Sequence, residues 1–345
     1  MPRTRVFPWS NLLSGTLDGR PLATRPFYFD DFAKIISLAL AKYQFDVVQI
    51  EHSFMACYRD AVPDSSRAKT VLSFHNVGSQ QYRRIAGLEG TPLRKLAFGA
   101  KARLMRGWEA RIASRFDCCL VVSRQESSLL RAGNASLEPV VIANGVACDE
   151  LLPLAEATGG EVLFFVGVLG YPPNSDGLAW FAREVWPLII AERPRVRLEV
   201  AGHAPPPEVM KLNDIANVTV RGFVEEIISY YQQASVVIVP LRAGGGTRLK
   251  VLEAMALGRA VVSTTIGCEG LEVVPGEHLL IADDPAEFAA AVLGLLGDDT
   301  LRQRIVKSAR RLVEDQYDWH AIGSKLAGVY HELASTRVGM GTGRC

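Results

Sequence analysis

Short runs of β-branched residues alternate with longer amphipathic segments along this chain, and the alternation occurs twice. In the first half the runs are Val47–Ile50, Thr70–Phe74, Cys118–Val122 and Val140–Ile142. In the second half they are Val162–Val166, Leu198–Val200, Val218–Val220, Val236–Val239 and Ala260–Ser263. Nearly continuous apolar runs of this length are typical of strands that are buried on both faces of a parallel sheet. The pattern therefore predicts two doubly wound α/β domains.

Segments with the spacing of amphipathic helices lie between the predicted strands. They are Asp31–Tyr43, Leu93–Phe116, Gly177–Glu192, Glu225–Gln233, Leu249–Leu257, Pro285–Leu296 and Leu301–Asp315. The strand rhythm lapses at Asp149–Gly160, and a chain of 345 residues has the length of two domains. We therefore expect one domain over residues 1–150, a second over 161–334 and a disordered tail over 335–345.

Composition and charge exclude several classes of protein. With 48% apolar and 22% charged residues the chain is neither disordered nor a disulfide scaffold. Residues 1–150 carry 20 basic and 14 acidic side chains, an excess too dilute to indicate a nucleic-acid partner. The six cysteines have no zinc-ligand spacing, which favours reduced thiols in a cytoplasmic protein without a bound metal. No run approaches the ~18 apolar residues that span a bilayer, so we expect any membrane contact to be peripheral.

The loop before Leu249 carries the strongest chemical signal. A predicted strand runs into Gly244-Gly-Gly-Thr-Arg248 and then into a predicted helix. Glycines allow close approach of the backbone to an anion, and the free N–H groups at a helix start attract phosphate. Glu253, about one turn along the helix, would point to the same strand end and could accept hydrogen bonds from ribose hydroxyls. A flexible turn followed by a solvated glutamate is the alternative, because the loop has neither the Walker nor the dinucleotide fingerprint.

This segment, extended to Gly244-Gly-Gly-Thr-Arg-Leu-Lys-Val-Leu-Glu-Ala-Met-Ala256, resembles the GT-B glycosyltransferases of glycosyltransferase family 4. Further motifs of that family follow in the family's order: Ala143-Asn-Gly-Val146, Phe165-Val-Gly167, Arg221-Gly-Phe-Val224, Gly267-Cys-Glu-Gly-Leu271 and Tyr317-Asp-Trp319. The resemblance implies a GT-B fold, in which two Rossmann-like domains face a cleft, the first on the acceptor side and the second binding the donor.

The same resemblance implies an activity. Members of the family move a sugar from a nucleoside-diphosphate sugar to a hydroxyl of a glycan or lipid-linked acceptor, retain the anomeric configuration and need neither metal nor cofactor. The expected donor is a UDP- or GDP-type sugar, and the base, sugar and acceptor stay open at this stage. A nucleotide-sugar 2-epimerase and a non-catalytic nucleotide-sugar binder are alternatives on related architectures.

The family's donor-site residues transfer to this chain with two departures. Glu253 matches the second glutamate of the E-x7-E motif and is expected to bind the donor ribose. The first glutamate of that motif is replaced by Gly245, so this chain resembles the branch in which the backbone at Gly246, Thr247 and Arg248 holds phosphate.

The second departure follows Gly167, where many members place an arginine and a lysine toward the diphosphate. Neither cation is present between Val168 and Asp176. We expect Arg248 and Lys250 to supply the missing charge and to stabilise the departing diphosphate, surface charge being the alternative for both.

Three further positions complete the expected donor site. Asn174 is a candidate polar contact to the donor, although Pro-Asn is also common turn chemistry. Main-chain groups at Phe223 and Val224 resemble the family's site for the edge of the base.

In the first half, His75 directly follows a predicted strand and resembles the family histidine beside the transferred sugar. His52 is a weaker candidate for contact with the acceptor, and His203 is expected in a turn. A structural role is the alternative for His75.

Two features concern the outer parts of the first domain. Nine basic residues lie between Arg83 and Arg115, and this charged face could attract anionic lipid at the inner face of the membrane. Leu104, Trp108 and Ile112 share helical spacing there and are expected to pack against the sheet. Residues 1–28 contain four prolines and no convincing strand, so we expect the family's first strand, glycine-rich loop and helix to be missing from the matching part.

Overall fold

The structure, a computed structural model, describes residues 27–335 except residues 89, 156, 158 and 159. The expectations for residues 1–26 and for the tail beyond Ser335 lie outside the described residues. The chain divides into two compact units. The first contains the described residues up to Ala143 together with those from Ser324 onward, and the second runs from Asn144 to Gly323.

The first unit is built on a parallel sheet of four strands in the order β1-β2-β3-β4. Its elements are α1 (Asp30–Lys42), β1 (Val47–Glu51), a 3-10 segment (Ser53–Ala61), β2 (Lys69–Phe74), α2 (Gly78–Leu88), α3 (Pro92–Ala113), β3 (Cys118–Val121), α4 (Arg124–Arg131) and β4 (Val140–Val141). Phe74, Met105 and Trp108 belong to its buried apolar core. β1 and β2 pair in register from Val47 with Lys69 to Glu51 with Ser73, so both strands end at the same edge.

The second unit is built on a parallel sheet of six strands in the order β10-β9-β8-β5-β6-β7. Its strands are β5 (Val162–Val166), β6 (Arg197–Ala201), β7 (Val218–Gly222), β8 (Val236–Val239), β9 (Ala260–Ser263) and β10 (Leu280–Ile281). Its helices are α5 (Pro172–Trp180), α6 (Trp186–Glu192), α7 (Pro207–Met210), α8 (Ile227–Gln233), α9 (Leu249–Ala256), α10 (Pro285–Gly297) and α11 (Asp299–Gln316); α12 (Trp319–Ser335) ends the described chain. The two parallel α/β sheets confirm the predicted fold class.

The helix predicted over Gly177–Glu192 differs in the structure. Helix α5 begins earlier, at Pro172, because proline is compatible with the first turn of a helix. A π-helical turn over Phe181–Val185 then separates α5 from α6. Pro187 lies at the start of α6, directly after the π-helical turn.

The expected packing of Leu104 is wrong. Trp108 and Ile112 are buried as expected, but the Leu104 side chain is 67% exposed. Near Leu104, the buried side of α3 is formed by Ala102 and Met105. At 3.6 residues per turn, these two residues lie on a different face of the helix from Leu104.

Two glycines let the loops after β5 and β6 approach each other. A Cβ atom on Gly202 would lie 1.7 Å from the carbonyl oxygen of Gly167, closer than any non-bonded contact allows. The strand ends that carry the candidate site therefore depend on the absence of a side chain at Gly202.

We expect Gly202→Ala to lower the free energy of unfolding by about 2 kcal/mol or more, because the backbone must shift to admit the methyl group. Gly294→Ala is the matched control, since a Cβ at this position of α10 meets nothing within 4 Å. That control should be neutral or stabilise the protein by up to about 1 kcal/mol. Urea denaturation measures both, and equal stabilities of the two variants would contradict the close approach.

Candidate active site

The loop between β8 and α9 adopts a backbone that requires glycine. Gly244 has a φ of 122° and Gly246 a φ of 73°, both in the region that side chains disfavour. Arg248 is the N-cap of α9, and its carbonyl oxygen accepts from the N–H of Val251. The predicted glycine-rich approach to a helix start is thus present, and it presents the first N–H groups of α9.

Arg248 is buried within this loop. Its Nη1 donates to the carbonyl oxygen of Gly245 and, at 3.2 Å, to that of Gly246. A Cβ on Gly244 would lie 2.7 Å from Nη2, so this glycine makes room for the guanidinium. Because Arg248 is only 7% exposed, the alternative of a surface charge is wrong, and a fixed positive charge stands beside the first turn of α9.

The hydroxyl group of Thr247 is a second polar group in the loop. Its Oγ1 atom is buried and, in the part of the chain that the structure describes, forms no hydrogen bond. A buried hydroxyl without a partner is unfavourable by roughly 1 to 3 kcal/mol, so it favours a ligand at this loop.

Lys250 extends from α9 to the end of β5. Its Nζ donates to Oδ1 of Asn174 at 3.0 Å and lies 4.3 Å from the centre of the Phe165 ring. A Cβ on Gly167 would lie 2.6 Å from the same nitrogen, so Gly167 leaves the space that the ammonium occupies. Asn174 is held in turn, since its Nδ2 donates to the carbonyl oxygen of Val168 at 2.8 Å.

The surroundings of Lys250 disfavour its charged form. Burial and then the charge of Arg248 lower its pKa to about 7, although Glu253 acts in the opposite direction. Among the described residues no carboxylate forms an ion pair with Lys250. The ammonium group of Lys250 therefore lacks a full counter-charge.

Glu253 lies one turn beyond Lys250 on α9. Tyr231, buried on α8, donates from its hydroxyl to Oε2 of Glu253 at 3.5 Å. Burial raises the pKa of Glu253, and the hydrogen bond from Tyr231 and the charge of Lys250 offset this only in part. Glu253 is thus a half-buried carboxylate held by Tyr231 and not the solvated helix residue of the alternative interpretation.

The structure brings some predicted donor-site residues together and leaves others apart. Gly167 and Asn174 meet Lys250 because β5 and β8 are neighbours in the sheet. Phe223 and Val224 follow β7, two strands away from β5 at the edge of the sheet. Phe223 is 69% exposed, and its ring contacts that of His203 edge to face at 6.3 Å between centroids.

In the first unit, His75 pairs with Glu51 across the ends of β1 and β2. Its Nε2 lies 2.7 Å from Oε2 of Glu51, and its ring stacks on that of His52 at 4.0 Å between centroids. Burial would raise the pKa of Glu51, but hydrogen bonds from Gln49, His75 and Ser73 bring it below its ordinary value. His52 has a φ of 67°, a strained backbone of the kind that clusters at functional sites.

Sequence reasoning missed two buried carboxylates that hold the segment after His75. Glu109 on α3 accepts from the backbone N–H of Gly78 at 2.8 Å and of Ser79 at 3.2 Å. Glu126 on α4 accepts from the N–H of Val77 at 3.3 Å. Glutamates within amphipathic helices carry no sequence signal of burial, so only the fold identifies this support.

Comparison with known proteins decides the family. Residues 10–150 match the family described as Glycosyltransferase Family 4, and residues 160–298 match the family described as Glycosyl transferases group 1. The chain belongs to glycosyltransferase family 4. It is a glycosyltransferase with the GT-B fold, as the motifs predicted.

Individual relatives are distant from this glycosyltransferase. An uncharacterized 44.6 kDa protein in the cps region of Klebsiella pneumoniae is 26% identical to this chain. The match covers 83% of this chain and 74% of the Klebsiella protein. The phosphatidyl-myo-inositol mannosyltransferase of Mycobacterium tuberculosis is 27% identical over 58% of this chain, and the match spans 55% of the mannosyltransferase. The solved structure of sucrose-phosphate synthase from Thermosynechococcus elongatus has a TM-score of 0.71 at 20% identity, covering 88% of this chain and 78% of that one.

Three observations concern the described part of the glycosyltransferase as a whole. No helix there has the length and apolar character needed to cross a bilayer. Histidine, cysteine, aspartate and glutamate side chains nowhere gather there in a group of three that could hold a metal ion. Burial raises the pKa of the Cys119 thiol to about 12.

The depressed pKa of Lys250 makes stability depend on pH. Its folded-state pKa of about 7 lies below the ordinary 10.5, so unfolding takes up a proton between these values and stability rises with pH there. We expect the contribution of Lys250 to the slope to be at most about 1.4 kcal/mol per pH unit, and this contribution to be absent in Lys250→Met. Urea denaturation at pH 7, 8 and 9 measures both proteins, and parallel profiles would contradict the assignment.

Proposed function

We propose that this protein is a retaining glycosyltransferase that moves a sugar from a nucleoside-diphosphate sugar to a hydroxyl of a glycan or lipid-linked acceptor. The second unit binds the donor, and the first unit binds the acceptor. The observation that carries the proposal is the pair of cations at the start of α9, the buried Arg248 and the partly buried Lys250.

The donor diphosphate supplies the negative charge that Lys250 lacks. Arg248 is locked to the loop carbonyl groups, so its position costs no reorganisation when phosphate binds. The first N–H groups of α9 and the Thr247 hydroxyl add hydrogen-bond donors on the same loop. These groups replace the loop cations that many family members carry after the position of Gly167.

The donor ribose binds to Glu253. Its carboxylate is half-buried and held by Tyr231, so it offers a fixed acceptor to a pair of hydroxyl groups. Hydrogen bonds from the ribose favour the ionised form of this carboxylate and compensate its burial.

The transfer needs no covalent nucleophile on the protein. The same cations that bind the diphosphate stabilise the charge that develops on it as the bond to the sugar breaks. We assign His75 to the hydroxyl groups of the transferred sugar, with Glu51 fixing the orientation of its ring. No metal takes part in this scheme, since Arg248 and Lys250 act on the diphosphate directly.

A lipid-linked acceptor is supported by the outer surface of α3. Leu93, Leu96 and Leu104 are 81%, 72% and 67% exposed, and they fall along one side of the helix; we call them the leucine stripe. Arg94 and Arg103 flank it. Exposed leucines bordered by cations suit an anionic membrane surface, and the mycobacterial relative is named for a phosphatidyl-inositol lipid.

Glu253→Ala tests the donor site. We expect the variant to lose at least about tenfold in affinity for the matching nucleoside diphosphate, because two ribose hydroxyls lose their acceptor. Isothermal titration calorimetry with UDP and with GDP, without added metal, measures the affinity and identifies the base.

Glu192→Ala is the control, because Glu192 is an exposed residue at the end of α6. It should bind like the wild type, and NAD should bind to none of the three proteins. Unchanged affinity of a folded Glu253→Ala variant would refute the ribose assignment, and the absence of nucleotide binding by the wild type would refute the donor site.

Membrane contact is tested by changing the three residues of the leucine stripe to serine. Each leucine buried in the interface contributes on the order of 1 kcal/mol, so we expect at least about a tenfold loss of binding to vesicles that contain phosphatidylglycerol. Co-sedimentation measures the bound fraction, with neutral phosphatidylcholine vesicles for comparison.

Leu188→Ser, an exposed position on α6 in the second unit, is the control and should bind like the wild type. Equal binding by the wild type and the triple variant would exclude α3 as the membrane surface.

A further inference from the structure

Three residues of neighbouring elements confine the side-chain nitrogen of Lys250. The ring of Phe165 faces its nitrogen from β5, Asn174 accepts its hydrogen bond from α5, and Gly167 leaves the remaining space. The charged groups that act on it are Arg248 from the loop and Glu253 from its own helix.

No other carboxylate of the neighbouring helix offsets the charge. Asp176 on α5 pairs instead with Arg242, with Oδ1 at 2.6 Å from Nη2 and Oδ2 at 3.0 Å from Nε. These contacts therefore hold the Lys250 side chain in place, while no carboxylate among the described residues forms an ion pair with its ammonium group. An amine in this setting keeps its hydrogen bond to Asn174 whether or not it is protonated, because both forms are donors.

We propose that Lys250 takes up a proton when a nucleoside diphosphate binds, so that an amine held by Asn174 without a carboxylate ion pair becomes the ammonium that holds the phosphate. This inference rests on the proposed function, since it requires that the diphosphate binds beside α9. The proton comes from the solvent and joins the lone pair of Nζ; no bond of the nucleotide forms or breaks.

The energetic reason is the change in charge balance. In the empty protein, burial and Arg248 hold the pKa of Lys250 near 7. A diphosphate adds at least two negative charges close to Nζ, which reverses the repulsion from Arg248 and favours the ammonium. Proton uptake and nucleotide binding are then linked, and the affinity should fall about tenfold per pH unit above a pH of about 7.

The test measures the enthalpy of nucleotide binding in two buffers of different ionisation enthalpy, HEPES and Tris, at about pH 8. The nucleotide is UDP or GDP, whichever the protein binds, and the terminal phosphate of both is almost fully deprotonated at this pH. We expect an uptake of up to about 0.9 proton per nucleotide, because a group one pH unit above its pKa is about 10% protonated before binding.

Two variants assign the proton. Lys250→Arg keeps a charge that does not titrate, and Lys250→Met has a similar shape without the amine; both should bind with no proton uptake and with an affinity that is flat from pH 7 to 9. Glu253→Gln should retain the uptake if it binds measurably, because the proton goes to Lys250. The measurement on the wild type in the two buffers needs no variant. It therefore shows whether proton uptake accompanies nucleotide binding even where a variant fails to fold.

The outcomes separate this inference from the proposed function. Nucleotide binding without proton uptake would overturn the inference and leave the donor site in place. Uptake that persists in Lys250→Arg would place the proton on another group and would also overturn it. Failure of both nucleotides to bind would overturn the donor site, and the inference with it.

Discussion

Two positively charged side chains of the second unit, Arg248 and Lys250, occupy space among the loops that follow β5 and β8. Arg248 is buried, its Nη1 donates to carbonyl oxygens of its own loop, and its guanidinium occupies the space that a side chain at Gly244 would need. Lys250 needs Gly167 for space and Asn174 for a hydrogen bond. A buried cation without a full counter-charge is unfavourable, and an anionic ligand removes that cost. This is the physical reason why we propose a ligand that brings its own negative charge.

In the first unit, buried carboxylates hold a segment of the backbone in place. The segment after β2 has no partner strand for its N–H groups, and Glu109 and Glu126 accept from them instead. Burial raises the pKa of Glu109, although its hydrogen bonds from Ser79, Gly78 and Ser53 act against this. These carboxylates support the backbone just beyond His75, while Glu51 orients its ring. These three carboxylates therefore position His75 and the segment that follows it.

Much of the candidate site was predictable, since parallel strands end at one edge and their following loops come together there. The glycines before α9, the helix start and Glu253 follow from local pattern and from the family resemblance. The sequence could not indicate that Lys250 reaches Asn174, which lies 76 residues earlier, because that contact depends on β5 and β8 being neighbours. It also misplaced Leu104, since helical spacing identifies a stripe but not which side of the helix the sheet covers.

The sequence by itself determined the fold class, because buried parallel strands must be apolar on both faces and are separated by helices long enough to cross back. It also determined the family, because several short motifs occur in one order along the chain. The tertiary structure alone decided which charges are buried and what each one contacts. Burial, and with it the depressed pKa of Lys250 and the pairing of His75 with Glu51, arises from groups distant in sequence that the sheet order brings within hydrogen-bond distance.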